Sequence, residues 1–320
     1  MSGHKRRRRD EYGDRIVSKG GDSRDRRTYG SSSPGSTEED GVSDGRDDER
    51  RYDFRRGDSL NRGRYRAVSV LGTGTFGTVI LARDTVSQED VAIKVVRAIS
   101  KYSHEAVVEA EILSRVGTRA GQLQQSPPIV RLIERFEHAG HTCLAFERLG
   151  PTLLELLERA RRPHSRTASS YVCLRGIQTI ARGMFRGLAF LHAMELAHTD
   201  LKPENVLLAT DPPAEQPLEP QSLHVKLIDF GGATFSHEQH SGIVCTRQYR
   251  PPEVTLGIRW GTPVDMWSAG CILAELYTGR VLFATHDEAE HLAMMERTLG
   301  TLPERMGGGG GGRAPPPPPP

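Results

Sequence analysis

Apolar and polar residues alternate at period two through RYRAVSVLG (64–72) and TVILARD (78–84), on either side of a glycine-rich turn. A third β-rich run, DVAIKVV (90–96), follows. The period then changes: EAVVEAEILSRV (105–116) has helical spacing, and two short apolar runs, PIVRLIERFEH (128–138) and TCLAFERLG (142–150), suit strands. The pattern predicts a small sheet with one helix over 65–149.

From GPTLLELLERA (150–160) onward the pattern is mostly helical. Leu174, Ile177, Ala181, Met184, Leu188 and Leu191 recur at steps of three and four residues and predict a long amphipathic helix running into HTDLKPEN (198–205). NVLLA (205–209) and HVKLIDF (224–230) read as short strands around a Pro-rich surface loop over 211–220. PVDMWSAGCILAELYTG (263–279) reads as a buried helix closed by glycine. DEAEHLAMMERTLG (287–300) reads as a second, acidic at its start, with Leu292, Met295 and Leu299 inward. These elements make an α+β chain whose helical part spans 150–306.

Composition changes the picture at both ends. Residues 1–64 are dense in Arg, Asp, Gly and Ser with almost no apolar periodicity, so they are expected to form a disordered tail, unable to offset the entropy of ordering. The net charge of +2 conceals KRRRR (5–9), either a solvated run or a nuclear-import or nucleic-acid-contacting patch. Residues 307–320 are a Gly/Pro tail with no capacity for a core. Cys143, Cys173, Cys245 and Cys271 lack paired spacing, which points to reduced thiols and no structural zinc. HEQH (237–240) offers two imidazoles without further ligands nearby and reads as a polar loop. No signal peptide or membrane span is visible, and no aromatic-interleaved basic stripe requires direct nucleic-acid binding.

The candidate chemistry begins with LGTGTFGTV (71–79), where Gly72, Gly74, Gly77 and Val79 are spaced as GxGxxGxV. Glycines let main-chain N–H groups approach phosphates closely, and the valine suits an apolar ring. The run lies between two strands, whereas a dinucleotide fingerprint leads into a helix. Lys94 ends VAIK, and an ammonium in so apolar a run needs a carboxylate. Glu109 is its natural partner and Glu111 the competitor; on a helix the two point about 200° apart, so one alone can face the lysine.

With these residues the stretch from Arg64 to Gly300 resembles a eukaryotic protein kinase of two lobes. The motifs follow in family order: glycine loop, Lys94, Glu109, HTDLKPEN, DFG at Asp229 to Gly231, PPE at Pro251 to Glu253, and Asp265. The resemblance implies ATP and Mg²⁺ as cofactors. Asp200 accepts or orients the substrate hydroxyl proton, Lys202 steadies the transferring group, and Asn205 and Asp229 hold Mg²⁺. It implies nucleotide contacts from Leu71, Gly72, Gly74, Gly77, Val79, Ala92, Lys94, Glu109 and Leu207. Phe146 becomes the gatekeeper, with Glu147 and Leu149 offering backbone groups to the adenine edge.

Leu292 to Arg297 spell LAMMER, and FERLG, HTDLKPENVLL, DFGGATF, TRQYRPPEV and THDEAEHLAMMER are similar to the same LAMMER, or CDC-like, dual-specificity kinases. That resemblance implies Arg/Ser-rich splicing factors as substrates, Ser/Thr phosphorylation with Tyr in autophosphorylation, and a nuclear location. It accounts for Thr199, which stands where many kinases have an Arg that clamps an activation-loop phosphate. Kinases of this group continue past the LAMMER helix with further helices and an Arg for the carboxylate at Glu253. The expectation is therefore an incomplete C-lobe, with Glu253 unpaired at a cost on the order of 3–5 kcal/mol. Pro251 also replaces the usual Ala and stiffens its loop. A catalytically weak kinase-like binding protein stays open as the alternative to an active enzyme.

Overall fold

Period-two alternation folds into a six-stranded sheet in the computed structural model, which describes residues 51–161, 172–212, 219–238 and 242–307. Strands β1 (Ser59–Leu60), β2 (Tyr65–Gly74), β3 (Gly77–Asp84), β4 (Asp90–Val96), β5 (Leu132–His138) and β6 (His141–Glu147) lie in the order β1-β2-β3-β4-β6-β5. All neighbours are antiparallel. Alternate residues Ile80, Ala82, Val91, Ile93 and Val95 are buried in one cluster with Tyr65 and Phe136, whose rings stack at 5.6 Å. Helix α1 (Ser100–Gln122) sets Ala106 and Ala110 against Leu144 and Val96 of the sheet.

The folded chain begins before the alternating pattern does. Leu60 is fully buried and Ser59 pairs with Arg66. The Tyr52 hydroxyl donates to Asp58 at 2.9 Å, and its ring meets His138 and His141 edge-on. A lone apolar residue in a charged stretch generates no period, so 51–64 reads as tail although it packs. The expected tail over 1–50, the Gly/Pro run beyond Gly307 and His240 of HEQH lie outside the described residues.

Below the sheet follow α2 (Leu153–Arg161), α3 (Leu174–His192), β7 (Leu196–Ala197), β8 (Val206–Leu208), β9 (Val225–Leu227), β10 (Thr234–Phe235), α4 (Pro252–Thr255), α5 (Pro263–Thr278), α6 (Glu288–Leu299) and α7 (Glu304–Gly307). β8 pairs with β9, and β7 with β10. Ile177, Ile180, Met184, Leu188 and Leu191 of α3 join Leu227, Phe230, Ile272 and Leu276 in the second lobe's core. Leu174, one turn earlier, is exposed.

Gly279 and Gly300 end α5 and α6 at positive φ, as their placement predicts. The inward face of α6 differs from expectation at one position. Met295 is buried and Leu292 half-buried, but Leu299 is 69% exposed and His291 is fully buried instead. The His291 ring meets Phe283 edge-on at 5.5 Å, and Phe283 stacks on Trp267. Neither imidazole nitrogen has a hydrogen-bond partner among the described residues. Burial, reinforced by the nearby Arg250 and Arg247, pushes its pKa down to about 4.

Candidate active site

Lys94 stands on β4 between Val79 of β3 and Leu144 of β6, so its side chain leaves the middle of the sheet. Its ammonium donates to Glu109 Oε2 at 2.8 Å and to Asp229 Oδ1 at 3.3 Å. The competition within α1 resolves for Glu109, which is buried, while Glu111 is exposed. Burial alone would lower the lysine's pKa, but the Asp229 and Glu109 carboxylates more than reverse it, so its pKa is raised. Lys94 holds the Asp229 carboxyl below its usual range against the opposing effect of burial. Burial pushes Glu109 up and Lys94 pulls it partly back.

Asp229 takes a left-handed backbone, φ 64°, which turns the chain so that Phe230 is fully buried while the aspartate meets Lys94. The Phe230 ring lies 4.9 Å from that of His198, whose Nε2 donates to the Ile228 carbonyl at 2.8 Å. The DFG turn and the HTDLKPEN loop are thereby packed together.

That loop hangs from α5. Asp265, 1% exposed, accepts the N–H of His198 at 2.8 Å and of Thr199 at 2.9 Å, and its Oδ2 also meets His192 Nε2 at 2.9 Å. Thr199 is held at φ 67°, and its hydroxyl donates to the Gly232 carbonyl at 2.7 Å. Where an arginine would await a phosphate, a neutral hydrogen bond ties the catalytic loop to the residue after DFG. Further along, Phe235 pairs with Leu196, Ser236 N–H donates to the Glu195 carbonyl, and the Arg115 guanidinium of α1 lies over the Phe235 ring at 5.4 Å.

Asp200 is gripped from two sides. Its Oδ1 accepts from the Thr246 hydroxyl at 2.8 Å and the Thr246 N–H at 3.3 Å; its Oδ2 accepts from Lys202 at 2.8 Å and Asn205 Nδ2 at 3.3 Å. Lys202 also donates to the Thr246 hydroxyl at 3.3 Å. Thr246 is a site residue that the sequence does not reveal as such; it lies in the TRQYRPPEV run, but its reach to Asp200 spans 46 residues. The sequence sets Asp265 in a buried helix and gives it no role.

The oxygen donors fit a hard divalent ion. The Asn205 amide nitrogen is spent on the Asp200 carbonyl at 2.7 Å and on Asp200 Oδ2, which leaves its amide oxygen without a donor among the described residues. Asp229 engages Lys94 through Oδ1 only, leaving Oδ2. No group of three or more His, Cys, Asp or Glu suited to a metal occurs among the described residues. Mg²⁺ needs only one or two protein oxygens and completes its shell with phosphate and water.

A nucleotide also fits. A Cβ at Gly72 or Gly74 would meet nothing within 4 Å, so their glycines answer to open space above the loop. At Gly77, with φ 153°, a Cβ would collide with the Val95 carbonyl, so that glycine answers to the sheet. Ala92 pairs with Phe146, and Val79, Phe146 and Leu207 are half-buried, while Leu149 is buried and Leu71 is 41% exposed. A separate groove of about 610 Å³ between α1 and β5, lined by Val107, Ser114 and Leu132, includes none of these residues. Glu253 is half-buried with a pKa raised by that burial and has no cationic partner among the described residues. The four cysteines are free thiols. His237 of HEQH stacks on Phe235. No helix among the described residues is long and apolar enough to cross a membrane.

Comparison with known proteins gives this geometry its class. The protein kinase domain model matches residues 65–305. The serine/threonine-protein kinase AFC1 of Arabidopsis thaliana is 40% identical over 277 residues, 80% of this chain and 56% of that protein. The dual specificity protein kinase CLK2 of Mus musculus is 39% identical over 254 residues, 76% of this chain and 49% of that protein. The crystal structure of a kinase domain matches with a TM-score of 0.69 at 37% identity, covering 81% of this chain and 77% of that one. The chain spans roughly half of these two curated relatives' length. It belongs to the protein kinase family, on the LAMMER, or CDC-like, branch.

Proposed function

We propose that this chain is an ATP- and Mg²⁺-dependent protein kinase that phosphorylates Ser and Thr, with Tyr in autophosphorylation, on Arg/Ser-rich splicing factors in the nucleus. The observation that carries the reading is the joining of Lys94, Glu109 and Asp229 to the Asp200–Lys202–Asn205–Thr246 network through the Phe230–His198 packing and the Thr199–Gly232 hydrogen bond. When bound, Mg²⁺ supplies positive charge beside phosphate oxygens, and Asn205 and Asp229 would hold it.

The remaining contributions come from the chain itself. Lys94, fixed by Glu109, presents a permanent cation to phosphate, and the glycine-loop N–H groups add fixed dipoles. Asp200, with its carboxylate plane set by Thr246, Lys202 and Asn205, orients the substrate hydroxyl and receives its proton. Lys202 lies beside that carboxylate, placed to counter negative charge that gathers as the phosphoryl group moves.

The test is incubation of the purified chain with Mg²⁺-ATP and an Arg/Ser-repeat peptide. We expect transfer that falls at least a hundred-fold in Asp200→Asn; transfer equal in the two proteins would reject the reading. The half-buried Glu253, without a cationic partner among the described residues, favours a second reading, a kinase-like protein that binds nucleotide without turnover. Nucleotide-dependent stabilisation with no transfer would select it.

A further inference from the structure

Glu147 does more in the fold than offer its main chain at the end of β6. Its Oε1 accepts from Lys226 Nζ at 2.6 Å and from the Arg131 N–H at 2.8 Å, while its own N–H donates to the Arg131 carbonyl at 3.2 Å. The two charged side chains are 23% and 19% exposed, so the pair is poorly screened. Lys226 sits on β9 directly opposite Leu207 of β8, and Leu207 bridges to Thr152 just past the hinge, residues 147–149 at the end of β6. Glu147 is also paired with Val91, next to Ala92. One carboxylate thus joins the sheet above the nucleotide slot to the two-stranded ribbon that carries its floor.

On the reading that this cleft binds ATP, we infer that Lys226 is a positioning residue which, through the Glu147 carboxylate, fixes the hinge main chain and so sets the preference for adenine over guanine. Adenine offers an amine and an unprotonated ring nitrogen where guanine offers a carbonyl and a ring N–H. A main-chain carbonyl and N–H held in fixed directions therefore meet one purine with complementary polarity and the other with like against like. Rejection depends on stiffness, because a hinge free to turn can re-present its groups. Two donors converging on Glu147 Oε1 supply that stiffness. Without the ammonium, a carboxylate that is four-fifths buried keeps a single N–H and swings toward water, taking its peptide with it.

The experiment compares wild type, Lys226→Met, Lys226→Arg and Glu147→Gln. It uses calorimetric binding of Mg²⁺-ADP and Mg²⁺-GDP, KM and kcat with ATP and GTP, and the thermal midpoint of each protein. Lys226→Met is expected to weaken ADP binding about ten-fold, raise KM for ATP by the same factor with kcat within about two-fold, and narrow the ADP:GDP preference at least three-fold. Lys226→Arg restores most of each. Glu147→Gln, which keeps the acceptor for Arg131, shifts the preference in the same direction by less and serves if the methionine variant does not fold. A wild-type ADP:GDP ratio in the variants, even with a lowered thermal midpoint, overturns the inference while leaving the kinase reading intact. Failure of wild type to bind ADP overturns both.

Discussion

A threonine hydroxyl at position 199 holds two segments together where a charged clamp would need a phosphate to close on. Thr199 is 2% exposed and its Oγ is committed to the Gly232 carbonyl. Thr199→Val should therefore lose that hydrogen bond without changing volume, costing about 1–2 kcal/mol in urea unfolding and several-fold in kcat, with Thr199→Ser close to wild type. Thr199→Arg should be worse than valine, because it buries a cation among backbone groups with no phosphate in reach. The oddity of Thr199 was legible from the chain alone; its partner, 33 residues on, was not. The same division runs through the site. Gly72, Gly74, Lys94, Asp200, Asn205 and Asp229 were legible as candidates because phosphate chemistry dictates their types and spacing. Thr246 and Lys226 were illegible: a threonine or a strand lysine carries no signal until folding places it 2.8 Å or 2.6 Å from a carboxylate 46 or 79 residues away.

At the scale of elements, most boundaries follow from periodicity and capping, and the exceptions have physical causes. Asp287 caps α6 by accepting from the Glu290 N–H, a contact that the acidic start alone does not specify. The buried face of that helix was misjudged because a histidine outranked a leucine: His291 fills the space against Phe283 that an apolar pattern assigns elsewhere, leaving Leu299 in solvent. Its pKa of about 4, against an ordinary 6.5, carries a prediction. The unfolded chain binds a proton near pH 6.5 and the folded one only near 4, so the protein loses stability as pH falls through that window. The loss reaches on the order of 3 kcal/mol at its lower edge and is absent above neutrality. His291→Leu should flatten this dependence and match or exceed wild-type stability at pH 7, since it removes two unsatisfied buried nitrogens. Denaturant midpoints at pH 5 and 7.5 measure both effects.

For the molecule as a whole, the two lobes meet at charges that nucleotide and metal would complete. Saturating Mg²⁺-ADP, at about a hundred times its dissociation constant, should stabilise the chain by about 2.7 kcal/mol and raise the thermal midpoint by roughly 5–10 °C. Asp229→Asn should lose most of that shift, because it leaves a single uncharged oxygen where Lys94 and the metal would each need one. A full shift without added Mg²⁺ would count against the oxygen-donor assignment.

The suspension of the catalytic loop from Asp265 has a wider consequence. Three donors from two segments converge on a single side chain of α5, a helix outside the proposed nucleotide contacts. Damage there would disarm the proposed activity remotely: inherited or engineered lesions in that scaffold should silence it as thoroughly as lesions in the cleft, and an inhibitor lodged beneath it would need no resemblance to a purine.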